Sequence, residues 1–188
     1  MARIPYPDPA SMTPENRDFL ADLPQLNISR MLAGSPCMFR PLTRVFSAYL
    51  NDGLLTDEMR EIVILRVGYL CDSEYEVSNH LRVAKLIGMD PARIDALVPG
   101  KSQAVFTAEE REVLRFVDEV VRDGGASQEA FDAVARFMPS PEMIELTVVI
   151  GVYTMVSQIC STFGIEPEEV PIANTGIEDI KRAVIKHS

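Results

Sequence analysis

The chain has only two histidines, and one of them, His80, lies within CDSEYEVSNHLRVAKLIG, four residues after Glu76. On a helix, offsets of three, four and seven share a face, so Ser73, Glu76 and His80 point the same way as Val77, Leu81 and Ala84. Val83 and Ile87 flank that face, while Asn79, Arg82 and Lys85 point elsewhere. A carboxylate and an imidazole aimed at apolar neighbours shift each other's titration, and acid–base chemistry uses such pairs. A second carboxylate, Glu61 in REIVILRV, is also surrounded by apolar residues. A buried carboxylate needs a partner. A short connection sets its helix beside the His80 helix, so Glu61, Glu76 and His80 converge.

The same residues carry a structural reading. Ser73-x-x-Glu76 is a capping-box pattern, in which the serine oxygen and the glutamate carboxylate each accept a free N–H at the helix start. A histidine on an apolar face also serves as a hydrogen-bonded core residue. Both roles of Glu76 are compatible if one carboxylate oxygen serves each. Tyr153 and Met155 sit on an apolar stripe and read as core, with pocket lining as the alternative. Cys37 and Cys160 read as small buried hydrophobes, and His187 as solvated.

Helices are the elements that must position these groups. Residues 1–12 form an extended arm punctuated by Pro5, Pro7 and Pro9, which exclude a regular helix. Thr13 with Pro14 opens the first helix, and LNISRMLAGSP gives a second, stopped near Gly34 and Pro36. Met38 to Leu50 shows helical spacing of apolar residues. Thr56 caps TDEMREIVILRVGYLC, and Ser73 starts the helix that ends at Gly88. Asp90-Pro91 opens a short helix, and Thr107 with Glu110 forms a capping-box pattern before a longer one. SQEAFDAVARFM follows, then a long helix from Ser140-Pro141 to about Phe163. The residues beyond it form a short helix or a loose end. Nothing requires a strand, so the fold class is all-α. A capped amphipathic helix followed by a shorter one occurs at 56–88 and again, loosely, at 107–137.

Composition narrows the function classes. The 188 residues are 47% hydrophobic and 24% charged, which suits one soluble globular domain. A formal net charge of −10 repels nucleic-acid backbones and anionic membranes, so neither partner is expected. Three scattered cysteines suit a reducing cytoplasm. The N-terminal stretch lacks the pattern of a signal peptide. The longest apolar run, MIELTVVIGVYTMVSQIC, carries Glu145 and reads as a helix buried in the fold or in an interface, not a membrane span.

The segment EIVILRVGYLCDSEYEVSNHLRVAKLIGM resembles the core of the carboxymuconolactone decarboxylase / alkyl-hydroperoxidase D superfamily. The shared pattern is a helix Glu, twelve residues to a turn position, then E-Y-E-x-x-x-H and A-x-x-x-G. LPQLNISRMLAGSP and IELTVVIGVYTMVSQICSTFGI resemble the flanking helices of longer members, so the likeness spans residues 3–166. It implies an alkyl-hydroperoxidase D-like helical fold, a single domain over 13–166 with two loosely similar halves, followed by a tail at 167–188. It also implies a homo-oligomer, a dimer or a trimer of dimers, which would cover the apolar 143–160 helix.

The resemblance assigns His80, Glu76 and Glu61 to catalysis and Tyr75, Ser73 and Cys71 to the substrate. The peroxidase branch uses C-x-x-C-x-x-x-H, but this chain holds Ser73 and Glu76 at the two thiol positions. Serine cannot cycle through sulfenic acid and disulfide. Cys71 lies two residues before the first thiol position, without a resolving partner. The decarboxylase branch also carries a Glu four residues before the His. The expected function is therefore cofactor-independent acid/base chemistry on a small carboxylated lactone or a related aromatic-catabolism intermediate, with no metal. A peroxide-reducing enzyme using Cys71 and a non-catalytic oligomeric binding protein are the alternatives. Arg66 and Arg82 are the candidate cations for the substrate's negative charge.

Overall fold

The computed structural model describes residues 2–168 and 177–187, and every regular element among them is helical. The all-α expectation holds. The chain divides into two compact units, Leu54–Ile159 and Met1–Gly53 with Cys160–Ser188.

The Leu54–Ile159 unit is organised around α4, Asp57–Leu70, labelled in chain order after three helices of the other unit. The Thr56 side chain accepts the Met59 N–H, and Asp57 and Glu58 occupy the first turn, where the helix dipole favours negative charge. The apolar residues of α4 are not confined to a stripe. Ile62, Val63, Ile64, Leu65 and Val67 are all fully buried, as a helix apolar on every side requires. Each such side chain contributes about 1.5–3 kcal/mol through burial. Helices α5 (Glu74–Leu86) and α7 (Ala108–Asp123) pack on α4. Helix α6 (Pro91–Ala96) packs on α5, and α8 (Gln128–Ala135) on α7. The Thr107–Glu110 capping box forms in full, with bonds of 3.1 and 2.8 Å.

Helix α9, Ser140–Phe163, starts in this unit and buries Leu146, Val149 and Ile150. By length and composition alone it is apolar enough to cross a membrane, which the sequence reading did not grant it. Its Glu145 has a specific task. The carboxylate accepts the N–H groups of Leu54 and Leu55 at 2.7 and 3.1 Å, securing the chain as it enters α4.

The other unit contains α1 (Pro14–Asp22), α2 (Asn27–Leu32), α3 (Pro36–Asp52) and α10 (Ile177–Lys186). The N-terminal arm makes one 3₁₀ turn, Pro9–Ser11, and its Arg3 N–H donates to the Phe163 carbonyl at 2.7 Å. Of the expected 167–188 tail, residues 169–176 lie outside the described residues, and α10 packs on α1 and α3. Two expectations are corrected here. Cys37 is exposed in the first turn of α3, whereas Cys160 is buried as expected. His187 is not a solvated end: its Nε2 lies 2.7 Å from Asp22 Oδ2, and its ring packs edge-on against Phe19. Helix α10 carries it onto α1, a tertiary contact that local sequence does not announce.

Candidate active site

The site begins with the turn joining α4 to α5. Asp72 adopts a left-handed conformation, φ 50°. The Ser73 N–H donates to the Gly68 carbonyl at 2.9 Å and the Asp72 N–H to that of Tyr69 at 3.3 Å. This is the helix-closing pattern usually completed by glycine. Ser73 then opens α5, its Oγ accepting the Glu76 N–H at 3.5 Å. Because the Ser73 N–H is engaged by Gly68, the glutamate half of the expected capping box does not form. The Glu76 carboxylate lies by His80 instead. Gly68 matters for the approach of the two helices, since a Cβ there would lie 3.1 Å from Val77 Cγ2 and 3.5 Å from Glu76 Cβ.

The three predicted catalytic side chains come together. His80 Nδ1 lies 2.8 Å from Glu61 Oε2, and His80 Nε2 lies 3.7 Å from Glu76 Oε2. An ionised carboxylate only accepts, so Nδ1–H donates to Glu61. The Glu76 distance is too long for a direct hydrogen bond and leaves a charge–charge attraction. Side-chain exposures are 13% for His80, 5% for Glu76 and 0% for Glu61, so the pairing operates largely out of water. Burial pulls the imidazolium pKa down and is the largest single influence. The charge and hydrogen bond of Glu61 and the charge of Glu76 together outweigh it, against a smaller opposition from Arg60. His80 therefore holds its proton above the ordinary 6.5.

The surrounding residues sort differently from expectation. Tyr153 from α9 is buried core, as its stripe implied, and its ring also stands edge-on to His80 with centroids 4.9 Å apart. Tyr75 and Ser73 are buried, and Cys71 is half-buried. Burial pushes the Cys71 thiol pKa up, against a weaker pull from the hydroxyls of Thr154 and Ser157. Ile87 and its neighbour Leu86 are exposed, so the apolar face of α5 ends at Ala84 and Leu81. Arg66 is not a substrate cation. Its guanidinium is buried, forks onto Asp118 at 2.6 and 2.7 Å, and donates to the Leu97 carbonyl at 2.9 Å. Arg82 donates to Asn79 on its own helix. The arginine whose charge reaches His80 is Arg60. Its position beside Glu61 in the sequence was the available signal.

Residues 36–119 match the family model described as Carboxymuconolactone decarboxylase family. No curated protein matches the chain in sequence. Among solved structures, an alkylhydroperoxidase AhpD-core, peroxidase-related protein from Ralstonia eutropha JMP134 superposes with a TM-score of 0.77 at 19% identity, covering 89% of this chain and 93% of its own. A peroxidase-related protein from Silicibacter sp. TM1040 gives 0.74 at 18% identity, with 89% and 91% covered. The debrominase Bmp8 gives 0.71 at 13% identity, with 91% and 92% covered. At such identities the structures establish a shared fold, and the matched segment contains the whole Glu61-to-His80 motif. Residues 36–119 are thus similar to the carboxymuconolactone decarboxylase family, with Ser73 and Glu76 in the turn and first helical turn before His80, and the chain shares the fold of the AhpD-like structures.

Proposed function

We propose that the Glu61–His80–Glu76 centre performs cofactor-independent acid/base chemistry on a small carboxylated lactone or a related aromatic-catabolism intermediate. One observation carries this reading: a largely buried imidazole held 2.8 Å from one carboxylate and 3.7 Å from a second. In a decarboxylation, the carbon–carboxylate bond breaks, CO₂ leaves, and the electron pair remains on carbon, delocalised into the conjugated lactone carbonyl. The His80 imidazolium donates a proton to that carbon and becomes neutral imidazole, which solvent then reprotonates. A raised imidazolium pKa favours the charged form that such an acid needs. Glu61 orients the ring and stabilises its charged form, Glu76 adds attraction, and Tyr75, Ser73 and Cys71 serve the substrate's oxygens. A variant of Bmp8 is solved with 2,3,4-tribromopyrrole, which supports a small ring as ligand for this fold.

A peroxide-reducing role for Cys71 has less support, because its thiol is pushed toward the protonated, unreactive form. We place the protein in the cytoplasm as a soluble homo-oligomer, a dimer or trimer of dimers. Its cysteines are free, and α9 leaves Ile144 and Val148 exposed in the single chain.

The test is an ultraviolet assay with 4-carboxymuconolactone on wild type, His80→Asn and Glu76→Gln. The expected result is turnover in wild type, a loss of about 10²–10⁴-fold in His80→Asn and a smaller loss in Glu76→Gln. Undiminished turnover in a folded His80→Asn protein rejects the mechanism, and absence of turnover in wild type rejects this substrate.

A further inference from the structure

Among the described residues, the polar atoms buried without a hydrogen-bond partner include Oε1 of Glu61 and Nε of its sequence neighbour Arg60. Glu61 is 0% exposed and Arg60 is 4% exposed. An unsatisfied buried donor or acceptor costs about 1–3 kcal/mol, and more when it is charged. Such atoms call for an explanation, and a bound polar group supplies one.

Arg60 is held on one side alone. Its Nη2 donates to Asp57 at 2.8 Å, and that carboxylate is 71% exposed, so its attraction is weakened by water. Arg66, on the same helix, shows the alternative. Three of its N–H donors are matched, two to one carboxylate and one to a backbone carbonyl. A guanidinium buried for structure alone resembles Arg66. Arg60 keeps a buried, directional N–H unmatched, next in sequence to the carboxylate that holds the catalytic imidazole. Its positive charge is also felt at His80, which places it within electrostatic reach of the reacting proton.

We propose that Arg60 anchors the substrate: its guanidinium, steadied by Asp57, receives a carboxylate of the substrate through Nε–H, while Glu61 Oε1 accepts a hydrogen from a substrate hydroxyl or a bound water. The proposal rests on the acid/base reading of this centre and assigns the anionic half of the ligand to a residue on α4. It gives binding a chemical consequence. A carboxylate on Arg60 offsets the positive charge that opposes the imidazolium, so the bound substrate strengthens the hold of His80 on the proton it is to deliver.

With only two histidines in the chain, the ring signals of His80 can be followed by carbon–proton NMR in the intact protein. Acetate and benzoate are titrated against their neutral amides, acetamide and benzamide, at constant ionic strength. The expected result is a saturable shift of the His80 signals with a carboxylate and none with the amides. Arg60→Gln should weaken that binding at least tenfold, and Arg60→Lys, which keeps the charge and loses the Nε–H, should fall between. No saturable shift in wild type, equal binding of the amides, or undiminished binding by folded Arg60→Gln would each overturn the anchor. The carboxylate–amide comparison in wild type decides the matter even if neither variant folds. Carboxylate binding that needs Arg60, together with turnover indifferent to His80, would remove the acid/base reading and leave the anion site. Turnover dependent on His80 with no preference for carboxylates would do the reverse.

Discussion

Helix α4 buries two charged centres five residues apart, and they are built on opposite principles. At Arg66, the guanidinium forks onto Asp118 and reaches the Leu97 carbonyl, so charge and hydrogen bonds are matched within the protein. At Glu61, one oxygen holds His80 and the other has no partner, and the neighbouring Arg60 keeps an unmatched Nε. Both centres bear the cost of desolvation, but only the first recovers it through complete pairing. Burial alone therefore does not mark a functional group. The proposed substrate anchor rests on the hydrogen-bonding capacity left over at the second centre.

The largest predicted effect lies at the matched centre. Arg66→Met leaves Asp118 without its fork and should cost about 3–5 kcal/mol, read as a lowered midpoint in urea unfolding. A loss below about 1 kcal/mol would mean that the pair is not the structural element described. Next is the spacing between α4 and α5. Gly68→Ala puts a Cβ 3.1 Å from Val77 and 3.5 Å from Glu76. It should cost about 1–3 kcal/mol and disturb turnover through Glu76. Unchanged stability and activity would show that the helices have slack there. The smallest stability effect is expected at the unmatched centre. Replacing both Glu61 and His80 by Leu removes a buried pair without orphaning either partner. This should leave stability within about 1 kcal/mol of wild type while abolishing turnover. A loss as large as that of Arg66→Met would erase the distinction between the two centres.

The all-helical architecture was legible because caps and helical spacing agree along the chain: Thr13, Thr56, Ser73 and Thr107 each accept an N–H at a helix start. The convergence of Glu61 and His80 was legible from two carboxylates and a histidine set among apolar residues. Less visible was the Glu76 arrangement. Its motif predicted a capping box, but Asp72 in the left-handed conformation lets Ser73 close α4, and that closure removes the N–H the box needs. Arg66 and Arg60 are both arginines among apolar residues, and only the three-dimensional positions of Asp118 and Leu97 tell them apart. His187 depended likewise on the docking of α10, a contact between residues far apart in sequence.

The most direct test of the central claim is an NMR titration of the His80 ring in wild type and Glu76→Gln. The imidazolium pKa should lie above 6.5 in wild type and fall when the Glu76 charge is removed. A folded-state pKa raised in this way has a matching stability signature: the contribution is fully present below the unfolded value and fades as pH rises through the folded one. A ring that titrates at or below 6.5, and does not respond to Glu76→Gln, would rule out a charged Glu61–His80–Glu76 centre. It would leave His80 a core residue hydrogen-bonded to Glu61 and nothing more.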